Sequence, residues 1–228
     1  MSLRLRSLAI AIALLIGMPT AAQAQIAVSR LLIDVIPGNE REDIVVSNNG
    51  EDVAYVQITI REYLNPGTDE EELVERDSPR ELGLLASPNR MILQPGEKAI
   101  LRLGVIERPT DIDRVFKISV TPVVGEIESS TNAIKLVYAF GVIVILRTET
   151  PEPSVTVTRD GNILTVVNDG NTMVQFGYGK QCDASGVECT EIPNKRVYPD
   201  STWVYELPED APVTFEVKTL EVVEVQTF

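Results

Sequence analysis

Polar and apolar residues alternate most regularly in residues 134–146, where every even position is apolar: Ile134, Leu136, Tyr138, Phe140, Val142, Val144 and Leu146. A period of two places these side chains on one face of an extended strand. At about 3.3 Å per residue the segment spans roughly 43 Å, well beyond the usual strand of about five or six residues. A polar stretch, 125–132, leads in. A second, 148–153, leads out and carries Pro151 and Pro153. The long strand is therefore predicted to end at a domain junction. Its apolar face must be covered by its own fold or lent to another chain.

Shorter β-type runs precede it at 26–35, 43–48, 53–63, 90–93, 98–106 and 115–124. Turn clusters separate them, among them Pro37-Gly38-Asn39, Asn48-Asn49-Gly50 and Pro95-Gly96-Glu97. In 53–60, Val53, Tyr55, Gln57 and Thr59 oppose Ala54, Val56, Ile58 and Ile60. In 98–105, Ala99, Leu101, Leu103 and Val105 share a face. Seven short strands at this spacing predict an immunoglobulin-like sandwich.

The pattern restarts after the prolines. Runs at 155–158 and 163–167 flank Asp160-Gly161, a hairpin signal, and further runs lie at 172–178, 202–207, 212–218 and 220–227. The predicted fold class is all-β: two immunoglobulin-like β-sandwich domains, 25–148 and 149–228, joined by a short Pro-containing hinge.

Residues 1–24 read as a signal peptide. Arg4 and Arg6 start it, an apolar run follows from Leu8 to Ile16, and Ala22-Gln23-Ala24 supplies a small-x-small cleavage site. The apolar run is short for a bilayer span, and no later stretch reaches the required length. Cleavage removes two of the 20 Lys+Arg and none of the 34 Asp+Glu, so the net charge moves from −14 to −16. Such a chain is a poor match for nucleic acid or an anionic membrane surface. It contains no histidine, which removes the commonest general base and imidazole-based zinc sites. No nucleophile motif or phosphate-binding loop stands out, and the chain reads as a non-enzyme without cofactor or metal. The acidic run Asp69-Glu70-Glu71-Glu72 reads as a solvated loop. Cys182 and Cys189 are seven apart, a spacing that in an oxidising compartment predicts a local disulfide.

Three ordered segments of the first half carry a family resemblance. Val45-Val46-Ser47-Asn48-Asn49-Gly50 with the returning strand to Gln57 is the first. Ser87-Pro88 through Leu93-Gln94-Pro95-Gly96, followed by Leu101-Arg102-Leu103, is the second. Asp113-Arg114-Val115-Phe116 is the third. In order and spacing they resemble the periplasmic chaperones of the chaperone–usher pilus pathway, across roughly residues 26–150. The second half is similar only through Val167-Asn168 and the 199–203 segment.

The resemblance implies donor-strand complementation, in which the chaperone lends a long edge strand to a fibre subunit that lacks its last strand. Counting back from Arg147, which resembles the basic residue ending the family's strand, the pocket-filling residues are Ile134, Leu136 and Tyr138, with Phe140 as a fourth. Val28-Ser29-Arg30 resembles the first strand of the family, whose Arg anchors the subunit's terminal carboxylate. Arg30 reads either as that anchor or as a junction salt bridge. The family's second anchor, a Lys, is replaced by Ile143, and Val115 stands where the family carries an acid. The implied partners are pilus or surface-fibre subunits and an outer-membrane usher, and the implied location is the periplasm. The alternative is a secreted structural β-sandwich that is itself part of a surface fibre or adhesin.

Overall fold

The computed structural model describes residues 26–123, 138–183 and 186–228. The predicted signal peptide, and Ile134 and Leu136 of the long alternating segment, lie outside the described residues.

The first strand run is divided between two sheets. Strand β1 (Ile26–Val28) pairs antiparallel with β3 (Arg41–Asn48), whereas β2 (Leu32–Val35) pairs parallel with β10 (Phe140–Leu146). Ser29–Leu31 make the crossing. Ser29 Oγ accepts from the Val45 amide at 3.0 Å, and the Leu31 carbonyl accepts from the Ile143 amide at 2.9 Å. One sheet runs β1-β3-β8-β6, with β8 at Lys98–Val105 and β6 at Leu84–Ser87. The facing sheet runs β2-β10-β9-β4-β5, with β9 at Arg114–Val123, β4 at Ala54–Leu64 and β5 at Glu72–Val74. Strand β7 (Arg90–Leu93) also pairs with β4. The alternation in 53–60 resolves as expected: Ala54, Val56 and Ile58 are buried inward, and Tyr55 and Gln57 face out. Leu101 and Leu103 enter the same core, with Ala99 and Val105 packed against it.

A four-residue helix, α1 (Pro79–Leu82), lies between β5 and β6. Ser78 caps it by accepting from the Glu81 amide, Pro79 occupies its first turn, and Gly83 at φ 67° ends it. The sequence reading did not anticipate it.

The second sandwich has a three-stranded sheet, β11-β12-β17, formed by Val155–Asp160, Ile163–Asn168 and Thr202–Glu206. Asp160 pairs with Ile163 across the expected hairpin, with Gly161 at φ 59°. The facing sheet runs β15-β14-β18-β13-β16. Its strands are β13 (Val174–Phe176), β14 (Gly179–Cys182), β15 (Cys189–Ile192), β16 (Lys195–Val197) and β18 (Val213–Thr219), with β19 (Val222–Thr227) added to β18. Phe176, Trp203 and Phe215 pack edge-on at the centre of this core, with ring centroids 5.6–5.8 Å apart. Cys182 and Cys189 sit opposite each other on β14 and β15 and are joined by a disulfide.

Each sandwich is welded at one turn by a buried asparagine that ends a strand. Asn48 donates from Nδ2 to the carbonyls of Asp52 (2.7 Å) and Leu93 (2.9 Å), and its Oδ1 accepts from Gly50. Asn168 donates to the carbonyls of Thr172 (3.0 Å) and Val197 (2.8 Å), and its Oδ1 accepts from Gly170. Because a buried amide without partners is costly, this shared pattern explains an asparagine at the same place in both halves.

Candidate functional site

Two features of β10 define the site. The first is the split use of its alternating face. Val142, Val144 and Leu146 are fully buried in the core of the first sandwich, and Phe140 packs against its rim. Tyr138, the next even position, is 60% exposed. The apolar stripe thus outruns the core it serves. Phe140, expected as a fourth lent side chain, is already in contact with the chain's own core.

The second feature is an open backbone edge. On one side β10 pairs with β9 along its whole length, from Phe140↔Val120 to Leu146↔Arg114. On the other side β2 covers only Ile143–Leu146. The Ile143 amide points to the β2 side, where it donates to Leu31. By ladder alternation, Gly141 and Ala139 aim their backbone groups the same way, beyond the point where β2 begins. Among the described residues no strand pairs with this part of the edge. An extended segment with free backbone groups and an apolar face is a template for strand addition.

The outward face of the β10-β9-β4 sheet is arranged in cross-strand rows. Nearest the second sandwich, Ile145 pairs with Val115 and Val115 with Tyr63. Ile145 and Val115 are buried but belong to neither core, and so is Met173 of the second sandwich. That is the burial expected of a face covered by the neighbouring sandwich. The next row is Ile143, Lys117 and Arg61. Lys117 leans toward β10: a Cβ on Gly141 would stand 3.1 Å from its Cε and 4.0 Å from its Nζ. Neither Lys117 nor Arg61 forms an ion pair or side-chain hydrogen bond among the described residues.

The seam itself is fixed by Arg147, at the end of β10. Its guanidinium grips Asp34 with two bonds (Nε–Oδ1 2.5 Å, Nη2–Oδ2 2.7 Å). Nη1 reaches Asp113 Oδ2 at 3.0 Å, Thr172 Oγ1 at 2.9 Å and the Met173 carbonyl at 2.7 Å. Burial pulls this guanidinium's pKa down, but the hydrogen bond and charge of Asp34, with those of Asp113, more than offset it and leave it raised. On the far side of the same sheet, Glu62 accepts from Arg114 (2.7 Å) and Arg76 (2.9 Å). Burial alone would push its carboxyl up, yet the two guanidiniums leave it below its ordinary value.

Arg30 lies elsewhere. Its Nη2 donates to Glu42 Oε2 at 2.6 Å and to the Asp43 carbonyl at 2.7 Å, on the sheet that holds β3. Arg102 pairs on the surface with Asp43. The sequence reading identified Tyr138 and Arg147 as markers but not Asp34, Asp113, Lys117 or Arg61. The last two become neighbours only through the β4–β9–β10 register, which no single strand's periodicity reveals.

No family model matches the chain. A CS1 fimbrial protein of Escherichia coli is 26% identical over 181 residues, covering 74% of this chain and 75% of that protein. The crystal structure of the class 5 fimbriae chaperone CfaA superposes with a TM-score of 0.64 at 20% identity, over 89% of this chain and 98% of that one. The chain has the fold of a fimbrial chaperone. A second superposition, onto a chain from the chaperone–tip adhesin complex of CFA/I fimbriae biogenesis, gives a TM-score of 0.63 at 19% identity and covers 90% and 98% of the two chains. Both comparisons span the two sandwiches of this fimbrial chaperone fold rather than one alone. Among the described residues no helix is long and apolar enough to cross a membrane.

Proposed function

We propose that this protein is a periplasmic chaperone that binds and caps pilus or surface-fibre subunits by donor-strand complementation and delivers them to an outer-membrane usher. The observation that carries the reading is the first half of β10. An apolar stripe leaves its own core at Phe140, and beside it the backbone edge at Ala139 and Gly141 is uncovered. The fimbrial chaperone fold and the relatives named for fimbriae support the same reading.

In this reading Ile134, Leu136 and Tyr138 fill successive pockets of the client. Burying an aliphatic side chain of this size contributes about 1.5–3 kcal/mol before ordering costs. Phe140 marks the border between lent and retained side chains. Arg30 is available to a client carboxylate only by exchanging Glu42 for it. The division into 25–148 and 149–228, with a cleaved leader at 1–24 and the boundary just after Arg147, belongs to the same reading.

The test is to tag the protein at its C-terminus in its own host, isolate it from the periplasm while surface fibres are being made, and identify what co-purifies by mass spectrometry. A small β-rich fibre protein in stoichiometric amount supports the proposal. Recovery of the protein alone, or only as its own polymer, contradicts it and favours a fibre component.

A further inference from the structure

We infer that Lys117, assisted by Arg61, is the site that receives the C-terminal carboxylate of the client strand and thereby sets the strand's direction. This rests on the reading of β10 as the client-binding edge.

The first observation is a like-charge pair. Lys117 and Arg61 are directly opposite on β9 and β4, on the outward face. Like charges in that position are destabilising. Neither is relieved by an acid among the described residues, in a chain with 34 acidic residues against 20 basic ones. Elsewhere the exposed arginines are paired: Arg30 with Glu42, Arg102 with Asp43, Arg159 with Asp210. Two adjacent cations left without a counter-ion form a ready anion site.

The second observation is where the cations point. Lys117 lies across Gly141, which has no side chain to obstruct it, and its ammonium is within 4.0 Å of where a Gly141 Cβ would stand. Gly141 is the last open position on the edge, because β2 begins opposite Ile143. A strand added to this edge must stop there. If it runs parallel to β10, in line with β2 and in the same sense, the end that meets β2 is its C-terminus. If it runs antiparallel, that end is its N-terminus. An ammonium at this point attracts a terminal carboxylate and repels a terminal amine. The guanidinium of Arg61, one strand further along the row, adds charge to the same spot and can offer two parallel hydrogen bonds. Ile143, between Lys117 and Leu32 in the row, supplies an apolar floor that keeps local water from screening the contact.

The experiment compares capture of the co-purifying fibre protein by wild type, Lys117→Gln, Lys117→Glu, Arg61→Gln and Lys117→Arg, each checked for folding by thermal melting. Lys98→Gln, which removes a cation from the other sheet, is the charge-matched control. The expected result is a loss of about tenfold or more for Lys117→Gln, a larger loss for Lys117→Glu, and a smaller one for Arg61→Gln. Lys117→Arg and Lys98→Gln retain capture. Dissociation of the purified complex is expected to speed up with salt in wild type and to respond less in Lys117→Gln. A role in folding alone would not produce that difference. If wild type captures a client and folded Lys117→Gln and Lys117→Glu capture it equally well, the inference is overturned while the chaperone reading stands. If wild type captures nothing, the chaperone reading falls and the inference falls with it.

Discussion

Arg147 Nη1 lies 3.0 Å from Asp113 Oδ2, with both side chains almost wholly removed from solvent. Asp113 also accepts from the Thr148 amide, from Thr172 Oγ1 and from the Met173 amide. One carboxylate and one guanidinium thus bind the last strand of the first sandwich, the chain leaving it and the opening of the second sandwich.

Breaking this pair is predicted to cost far more than an exposed ion pair would. Removing one member of a buried pair leaves the other charge without compensation, a loss of about 3–5 kcal/mol. Arg147→Ala is expected to lower stability by about that amount and to separate unfolding into two transitions, because the seam loses its main polar tie. Denaturant unfolding followed by Trp203 fluorescence, together with a probe on the first sandwich, checks this. A single transition at the wild-type midpoint would contradict it.

The three-residue group Glu62, Arg114 and Arg76 predicts an acid-sensitive contribution to stability. The carboxyl of Glu62 is held below its ordinary value of 4.5 despite burial. A carboxyl depressed in the folded state binds a proton more readily when unfolded, so its contribution is complete above 4.5 and is lost as pH falls through the folded value. The stability difference between wild type and Glu62→Gln should therefore be largest near neutrality and shrink below pH 4.5. A difference independent of pH would refute the assignment.

The twin asparagines predict matched defects in the two halves. Asn48→Ala leaves the carbonyls of Asp52 and Leu93 without their donor, and Asn168→Ala does the same to Thr172 and Val197. Each is expected to cost about 1–3 kcal/mol. Hydrogen exchange should place the first loss in the β3–β4 turn and β7, and the second in the β12–β13 turn and β16.

The strand pattern was legible where a strand has one dry face and one wet one. The alternations of 53–60 and 98–105 gave β4 and β8 with the correct inward residues, and Asp160-Gly161 gave the β11–β12 hairpin. Short strands with little apolar content were missed, because backbone pairing rather than periodicity makes them strands. Gly179–Cys182, Cys189–Ile192 and Lys195–Val197 are examples. The sheet change at Ser29–Leu31 interrupts an apparently continuous run and depends on β3 and β10 competing for the same segment. The helix at Pro79–Leu82 was signalled by Ser78, Pro79 and Glu81, but one turn is too short to create a periodicity. At the site, Tyr138 and its even-numbered neighbours could be read from one strand. The pairing of Lys117 with Arg61, and the convergence of Asp34 and Asp113 on Arg147, required tertiary register.

The central claim is that the apolar stripe beyond Phe140 is lent to a client. The most direct test replaces Leu136 and Tyr138 together with Glu and measures how much fibre protein co-purifies from the periplasm. Two carboxylates facing dry client pockets carry a large desolvation cost, while the first sandwich's core, built from Val142, Val144 and Leu146, is untouched. The account predicts a folded protein with a wild-type melting midpoint and no captured client. A well-folded double variant that still recovers the client at the wild-type level would contradict it.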